Sequence, residues 1–97
     1  MDKMLYLNNL YDYYQNLLTD KQRLYFEEYY FNNLSLGEIA ENYNVSRNAV
    51  FNQLKIAEKR LNEYENILQL YQKKNKIISI IGNKLEEKEL KEIEELL

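Results

Sequence analysis

The sequence lacks several residue types on which enzyme chemistry commonly depends. Its 97 residues include no cysteine, histidine, proline or tryptophan, and only two glycines. Without cysteine and histidine there is no thiolate nucleophile, no imidazole base and none of the commonest zinc ligands. Two glycines are too few for a glycine-rich phosphate loop. The many carboxylates are spread along predicted helices at positions expected to face solvent. We therefore predict a protein that is not an enzyme and that uses no cofactor or metal.

Long apolar runs are also missing. No stretch approaches the roughly 18 apolar residues that a membrane span requires, and no basic and apolar signal segment opens the chain. The absence of cysteine agrees with a reducing compartment. We expect a cytoplasmic protein with no membrane span, small enough to hold one core and a docked tail.

Helical periodicity is what the sequence does contain. No proline interrupts the chain, and apolar residues recur at spacings of three and four rather than two, so we predict an all-α fold of five or six helices. The first helix is predicted over residues 3 to 18. The inward positions predicted for the first two helices are Leu7, Leu10, Tyr14, Leu17, Leu24, Tyr25, Tyr29 and Phe31.

Two short motifs place the starts of the second and third helices. TDKQ at residues 19 to 22 and SLGE at residues 35 to 38 each combine Thr or Ser with Gln or Glu three positions later, the pattern of a capping box. The second helix is predicted to end near Asn32 and Asn33, because asparagine tolerates left-handed backbone. The third is predicted to close near Asn42.

Residues 35–61 have the pattern of a helix-turn-helix. Only Tyr43, Asn44 and Val45 separate the third predicted helix from the fourth, and Asn44 can take the left-handed conformation that such a turn requires. The Ser46 hydroxyl is placed to cap the first amides of the fourth helix.

The apolar residues around this turn predict one small core. The fourth helix is predicted to carry an apolar stripe of Val50, Leu54, Ala57 and Leu61. Ala40 is small enough to let the two helices approach, and the positions expected to close the core between them are Ile39, Val45, Val50 and Leu54. We therefore divide the chain into a small helical domain over residues 1–65, which contains the helix-turn-helix, and a helical C-terminal tail over residues 66–97.

The run SLGEIAENYNVSRNAV, followed by LKIAEKRL, resembles the fourth-region helix-turn-helix of bacterial sigma factors. The positions on the shared pattern are Glu38, Ile39, Ala40, Val45, Ser46, Val50, Leu54 and Ala57. The wider run over residues 17–65 resembles the small YlxM (p13-like) proteins, which join this motif to an N-terminal helix and a helical tail. That resemblance implies a genetic association with the GTPase of the signal recognition particle and its receptor, and a regulatory or accessory part in that targeting pathway.

The outward face of the fourth helix is the candidate binding site, because side chains near the start of a recognition helix face the bases in a DNA groove. Arg47 can bind guanine or phosphate, and Asn48 and Asn52 can pair with adenine. Lys55 can hold a phosphate. The predicted nucleic-acid or partner-binding residues are Ser46, Arg47, Asn48, Phe51, Asn52, Lys55 and Lys59.

The charge of this region is low for a DNA reader. Sigma-like relatives commonly carry basic residues where this chain has Phe51, Gln53 and Ile56, and phosphate neutralisation supplies most nonspecific affinity. Residues 34 to 61 carry one net positive charge, and the whole chain has a net charge of -3 and a pI near 5.0. Phe51 would then contact a thymine methyl, a protein partner or a second copy of the chain, or be covered by the tail.

Composition divides the tail into three parts. LNEYENILQLYQ is predicted to continue the fourth helix, KKNK forms a basic cluster that touches RNA or is a solvated helix end, and Gly82 with Asn83 marks a break. Four isoleucines before the break form too continuous a run for solvent, so they should pack on the domain or on a second copy. The acidic last segment carries a stripe of Leu90, Ile93 and Leu97 that docks or helps the chain to dimerise.

Two functions of different classes remain open. In the first, the chain is an accessory module that binds the targeting GTPase or its RNA through the candidate residues. In the second, it is a dimeric transcriptional regulator that inserts its fourth helix into the major groove of duplex DNA. The charge deficit favours the first, and a homodimer is expected in either case.

Overall fold

The computed structural model describes residues 2–97, and all regular structure in that range is helical, which confirms the predicted all-α fold. The six helices are α1 (Lys3–Tyr14), α2 (Asp20–Tyr30), α3 (Leu36–Tyr43), α4 (Arg47–Leu68), α5 (Leu70–Ile81) and α6 (Glu87–Leu96). Short 3-10 turns follow α1 at Gln15–Leu17 and α5 at Gly82–Lys84. The second turn confirms the break expected at Gly82. No helix in residues 2–97 is long and apolar enough to cross a bilayer.

Both predicted capping boxes are present. The Thr19 hydroxyl accepts from the Gln22 amide at 3.1 Å, and the Gln22 side chain accepts from the Thr19 amide at 3.0 Å. The box at Ser35 and Glu38 has matching distances of 3.1 and 3.0 Å. These bonds satisfy helix amides that have no partner within the helix, so they fix where α2 and α3 begin.

The core lies between α4 and the three helices before it, because α1, α2 and α3 all pack on α4. Its buried side chains are Leu7, Leu10, Tyr11, Tyr14, Leu18, Tyr25, Phe26, Ile39, Ala40, Val50, Leu54, Ala57 and Leu61. The predicted stripe of α4 is confirmed in full. Tyr11 stacks on Phe26 with ring centroids 4.5 Å apart, which joins α1 to α2 at the centre of the core.

Four of the predicted inward positions in the first two helices are wrong. Leu17 is 52% exposed, because the chain tightens into a 3-10 turn after Tyr14 and Leu18 enters the core in its place. Leu24 and Tyr29, two of the inward positions predicted for α2, are exposed, and Phe31 is exposed just beyond the end of the helix. The register of α2 is rotated by about one residue, since its packing against α1 and α4 buries Phe26 beside Tyr25.

Helix α4 continues past Tyr64 to Leu68, as predicted, but it does not extend to Gln72, because Gln69 adopts left-handed backbone with φ 56° and a new helix follows. Gln69 provides no side-chain cap for α5. Instead, the buried Glu65 carboxylate accepts from the Tyr71 amide at 3.2 Å and the Gln72 amide at 2.9 Å. A carboxylate at a helix N-terminus also interacts favourably with the helix dipole.

Helix α1 completes this joint through Tyr14. The Tyr14 hydroxyl donates to Glu65 at 2.6 Å and accepts from the Leu70 amide at 3.1 Å. Burial, reinforced by the hydrogen bond to Glu65, raises the pKa of Tyr14 to about 12. The tyrosine therefore remains a neutral donor at physiological pH, and three helices meet at one polar cluster.

Candidate binding interface

The outward face of α4 is set by the turn that precedes it. Asn44 adopts left-handed backbone with φ 53°, as predicted, and the Val45 amide donates to the Ala40 carbonyl at 3.0 Å. The Ser46 hydroxyl then accepts from the Ala49 amide at 3.0 Å. These bonds close α3 and open α4 within three residues, and the first two residues of α4, Arg47 and Asn48, are exposed.

All of the predicted binding residues lie on the exposed side of the helix-turn-helix. The exposed side chains are Ser46, Arg47, Asn48, Phe51, Asn52, Lys55 and Lys59. From Arg47 onward they are spaced by one, three and four residues, so they form one face beside the buried stripe. The structure thus brings together the residues that the sequence selected, and their role in binding stays a prediction.

The cations on this face are not equally free. The Lys55 amine lies 3.9 Å from the Glu58 carboxylate and 5.4 Å from the centroid of the Phe51 ring. Lys59 lies 4.0 Å from Glu63. Among the described residues Arg47 has no ion pair, so it is the cation of this face that is most available to a ligand.

Glu58 is a buried carboxylate beneath the face. Lys3 of α1 approaches it to 3.4 Å, and Lys55 shares it. Burial, followed by the charge of Glu58 and a hydrogen bond to it, raises the pKa of Tyr30. Glu58 thus offsets the charge of Lys55 and makes that lysine a weaker phosphate ligand than its position in the sequence indicates.

Phe51 is the apolar feature of the face, with 43% of its surface exposed. It lines a shallow groove with Leu36, Arg47 and Asn48, and a second depression that reaches Tyr29. The residues lining both come from α1 to α4, so the tail does not cover Phe51. The interpretation in which the tail folds over this ring is therefore wrong.

Sequence reasoning missed the neighbours that complete this groove. Leu36 is the first residue of α3, Tyr29 is an exposed residue in the last turn of α2, and Lys3 is the first residue of α1. None carries a local signal for binding, because only the packing of α1, α2 and α3 on α4 brings these side chains to Phe51. Periodicity alone identifies the α4 part of the surface.

Comparison with known proteins places this arrangement among small helix-turn-helix proteins. The chain matches over residues 1–97 the family described as "UPF0122: Putative helix-turn-helix protein, YlxM / p13 like". A UPF0122 protein of Bacillus mycoides is 44% identical over 92 residues, which is 92% of this chain and 84% of the relative. A UPF0122 protein of Halalkalibacterium halodurans is 49% identical over 81 residues, which is 84% of this chain and 74% of the relative. A UPF0122 protein of Shouchella clausii is 51% identical over 73 residues, which is 75% of this chain and 67% of the relative.

Proposed function

We propose, because the chain belongs to the UPF0122 (YlxM/p13-like) family of helix-turn-helix proteins, that it is a non-enzymatic recognition module. Its partner in this proposal is the GTPase of the signal recognition particle, in the cytoplasm, and the contact surface is the outward face of α4. In this proposal the chain is an accessory factor that regulates the GTPase by binding to it. The observation that carries the proposal is the exposed Phe51 beside a single unpaired cation.

The chemistry of the face fits a protein partner. Phe51, Leu36 and Arg47 line one groove. Aromatic and arginine side chains dominate binding energy at protein interfaces. Lys55 is paired with Glu58, so the positive potential that nucleic-acid binding requires is reduced. An apolar contact flanked by one cation favours a protein over a phosphate backbone.

A second candidate is supported by the start of α4. Ser46 caps the helix as in a DNA reader, and the side chains of Arg47, Asn48 and Asn52 are all exposed. These are residue types that pair with guanine and adenine edges. The alternative is therefore a dimeric regulator that reads duplex DNA through the same face.

We also propose that the chain acts as a homodimer. Several large apolar side chains of α5 and the C-terminal segment, including Ile77, Ile80 and Leu97, are exposed in the single chain. Contiguous exposed apolar surface of this kind is typical of association.

Calorimetry with the purified GTPase, and separately with the RNA of the particle, tests the recognition proposal. Phe51→Ala is expected to weaken binding of the GTPase about 30-fold, the equivalent of about 2 kcal/mol for a buried aromatic anchor. Ile56→Ala is the matched control, since Ile56 is an exposed apolar residue of α4 outside the groove. The affinity should change little with salt.

Three results would reject this proposal in favour of an alternative. The first is that Arg47→Ala and Lys55→Ala abolish binding while Phe51→Ala does not. If the salt slope also falls by about one unit per variant, the face makes phosphate contacts. Binding to the RNA without binding to the GTPase makes the RNA the partner. Nanomolar binding to a duplex selected from random sequence, with no binding to either component, indicates the DNA-reading regulator.

A further inference from the structure

The C-terminal part of the chain extends away from the core. The Cα radius of gyration is 16.3 Å and the principal extents are 52 × 25 × 23 Å. A compact chain of this length has a radius of gyration of about 12.5 Å. Helix α6 makes its main contact with α5. The excess length therefore comes from α5 and α6, which lie largely outside the core formed by α1 to α4.

Helix α5 has two apolar sides, and only one of them is used within the chain. Tyr71 contacts α1, where its ring meets Tyr6 at 5.8 Å and its hydroxyl accepts from Asn9 at 3.3 Å. Ile78 and Ile81 are half-buried. Tyr71 holds the start of α5 against the domain core, and the packing of the isoleucine run on the domain stays a prediction.

The other side of α5 is exposed along its length. Leu70, Ile77 and Ile80 follow spacings of seven and three, which places them on one stripe of a helix. Ile80 is 57% exposed and Ile77 is 37% exposed. Lys73 lies on this stripe between Leu70 and Ile77, Lys76 lies at its edge, and both are exposed as well.

Helix α6 carries a similar apolar stripe with the opposite charge. Its stripe consists of Leu90, Ile93 and Leu97, with Glu89 and Glu94 on either side. Between Leu70 and Ile81 there are three lysines and no acid, a net charge of +3. Between Glu87 and Leu96 there are five glutamates and two lysines, a net charge of -3. The two helices are therefore complementary in charge and both display apolar side chains.

This complementarity is not used inside one copy. The ion pairs found among residues 2–97 join side chains of α1, α2 and α4 only. Within one copy α6 contacts α5, and Leu90 and Ile93 are half-buried. Leu70, Ile77 and Ile80 of α5 and Leu97 after α6 remain exposed. A second chain can satisfy both the charges and the apolar surface.

We propose that a second copy of this chain covers the tail, with α5 of each copy packed on α6 of the other around a two-fold axis. Such an isologous contact makes the same complementary pairing twice. The helix lengths match, since 12 and 10 residues span about 18 and 15 Å. The result is a four-helix contact with apolar stripes inside and opposite charges at the edges. This inference deepens the homodimer proposal and does not depend on the partner of the α4 face.

Charge exchange in the full-length chain tests the pairing. Sedimentation equilibrium of the wild type should give a dimer. Lys73→Glu with Lys76→Glu should give a monomer, because α5 then faces α6 with like charge, and Glu89→Lys with Glu94→Lys should do the same. An equimolar mixture of the two variants should restore a dimer that contains one chain of each, since both interhelical pairings regain opposite charges.

The matched control carries Lys21→Glu and Arg60→Glu, which make the same charge change on exposed positions of α2 and α4. It should dimerise with the affinity of the wild type. Circular dichroism of each variant verifies the helical fold, and the mixing step shows that each variant is competent to associate. Loss of dimer without rescue on mixing overturns the charge pairing.

A wild-type chain that remains monomeric at all concentrations overturns both the pairing and the homodimer. Unchanged dimerisation in both reversed variants overturns the pairing alone. Neither result bears on the α4 face, since binding of the GTPase by that face is measured separately through Phe51→Ala. Failure of the two proposals is therefore distinguishable.

Discussion

Replacing Glu65 by glutamine should loosen the joint that connects α4 to α5. In the native chain its carboxylate is buried and accepts hydrogen bonds from Tyr14 at 2.6 Å, from the Tyr71 amide at 3.2 Å and from the Gln72 amide at 2.9 Å. Glutamine retains one acceptor oxygen, but its side-chain amino group would face one of these three hydrogen-bond donors and could not accept from it. The side chain keeps its size, so the change isolates the hydrogen bonds and the charge.

The expected cost follows from the bonds that are lost. A hydrogen bond to a charged group contributes about 1.5–3 kcal/mol, and water can partly replace the carboxylate at the half-exposed start of α5. We therefore expect Glu65→Gln to lower the free energy of unfolding by about 2 kcal/mol. Tyr14→Phe removes the donor to Glu65 and the acceptor for Leu70, and should cost about 1–2 kcal/mol.

Urea unfolding followed by far-ultraviolet circular dichroism measures these changes. For a domain of this size a loss of about 2 kcal/mol lowers the midpoint by about 1 M. The double variant should lose less than the sum of the two single losses, with a coupling of about 1 kcal/mol, because the single changes break the same bond. Hydrogen exchange should be faster at the amides of Tyr71 and Gln72 in the Glu65 variant than in the wild type.

Glu63→Gln is the control for the joint. Glu63 is exposed, and within residues 2–97 its one ion pair is with Lys59 at 4.0 Å, so its replacement should change stability by less than about 0.5 kcal/mol. Equal losses in the Glu63 and Glu65 variants would refute the reasoning. Strict additivity of Tyr14→Phe and Glu65→Gln would also refute it, because the two residues would then not act as a unit.

Three further changes probe the core, the joint and the backbone. Val50→Asp places a carboxylate at a fully buried site, so it should cost several kcal/mol. An unchanged melting temperature would show that the assigned stripe is wrong. The pKa of Tyr14 is raised from 10.0 to about 12, so its stabilising contribution is complete below pH 10 and is lost as the pH rises through 12; in Tyr14→Phe the alkaline loss of stability should shrink. Gln69→Gly relieves left-handed backbone at φ 56° and should stabilise the chain by about 0.5–1 kcal/mol, whereas a lower urea midpoint would contradict that account.

The residues of the binding face include some that local sequence signals predict and some that only the packing of the helices brings there. The α4 residues around Phe51 are predictable, because a capped helix start and a regular buried stripe define which side chains point outward. The pairing of Lys55 with Glu58 also lies within one turn of helix. The contribution of Lys3 is not predictable, because that residue reaches Glu58 from α1. The second cation on Glu58 is therefore a tertiary effect, whereas the pairing of Lys55 is local.

The sequence by itself determined the helix-turn-helix, because its signals act over three or four residues. The capping boxes at Thr19 and Ser35, the left-handed Asn44 and the stripe through Val50 each arise from contacts within a helix or a turn. Only the tertiary structure decided the role of Glu65, which the sequence presents as one acid among several in the polar run NEYEN. Its hydroxyl partner lies 51 positions away on α1. The same applies to the rotation of α2 that buries Phe26, because helix phase against a core is set by the neighbours on which the helix packs.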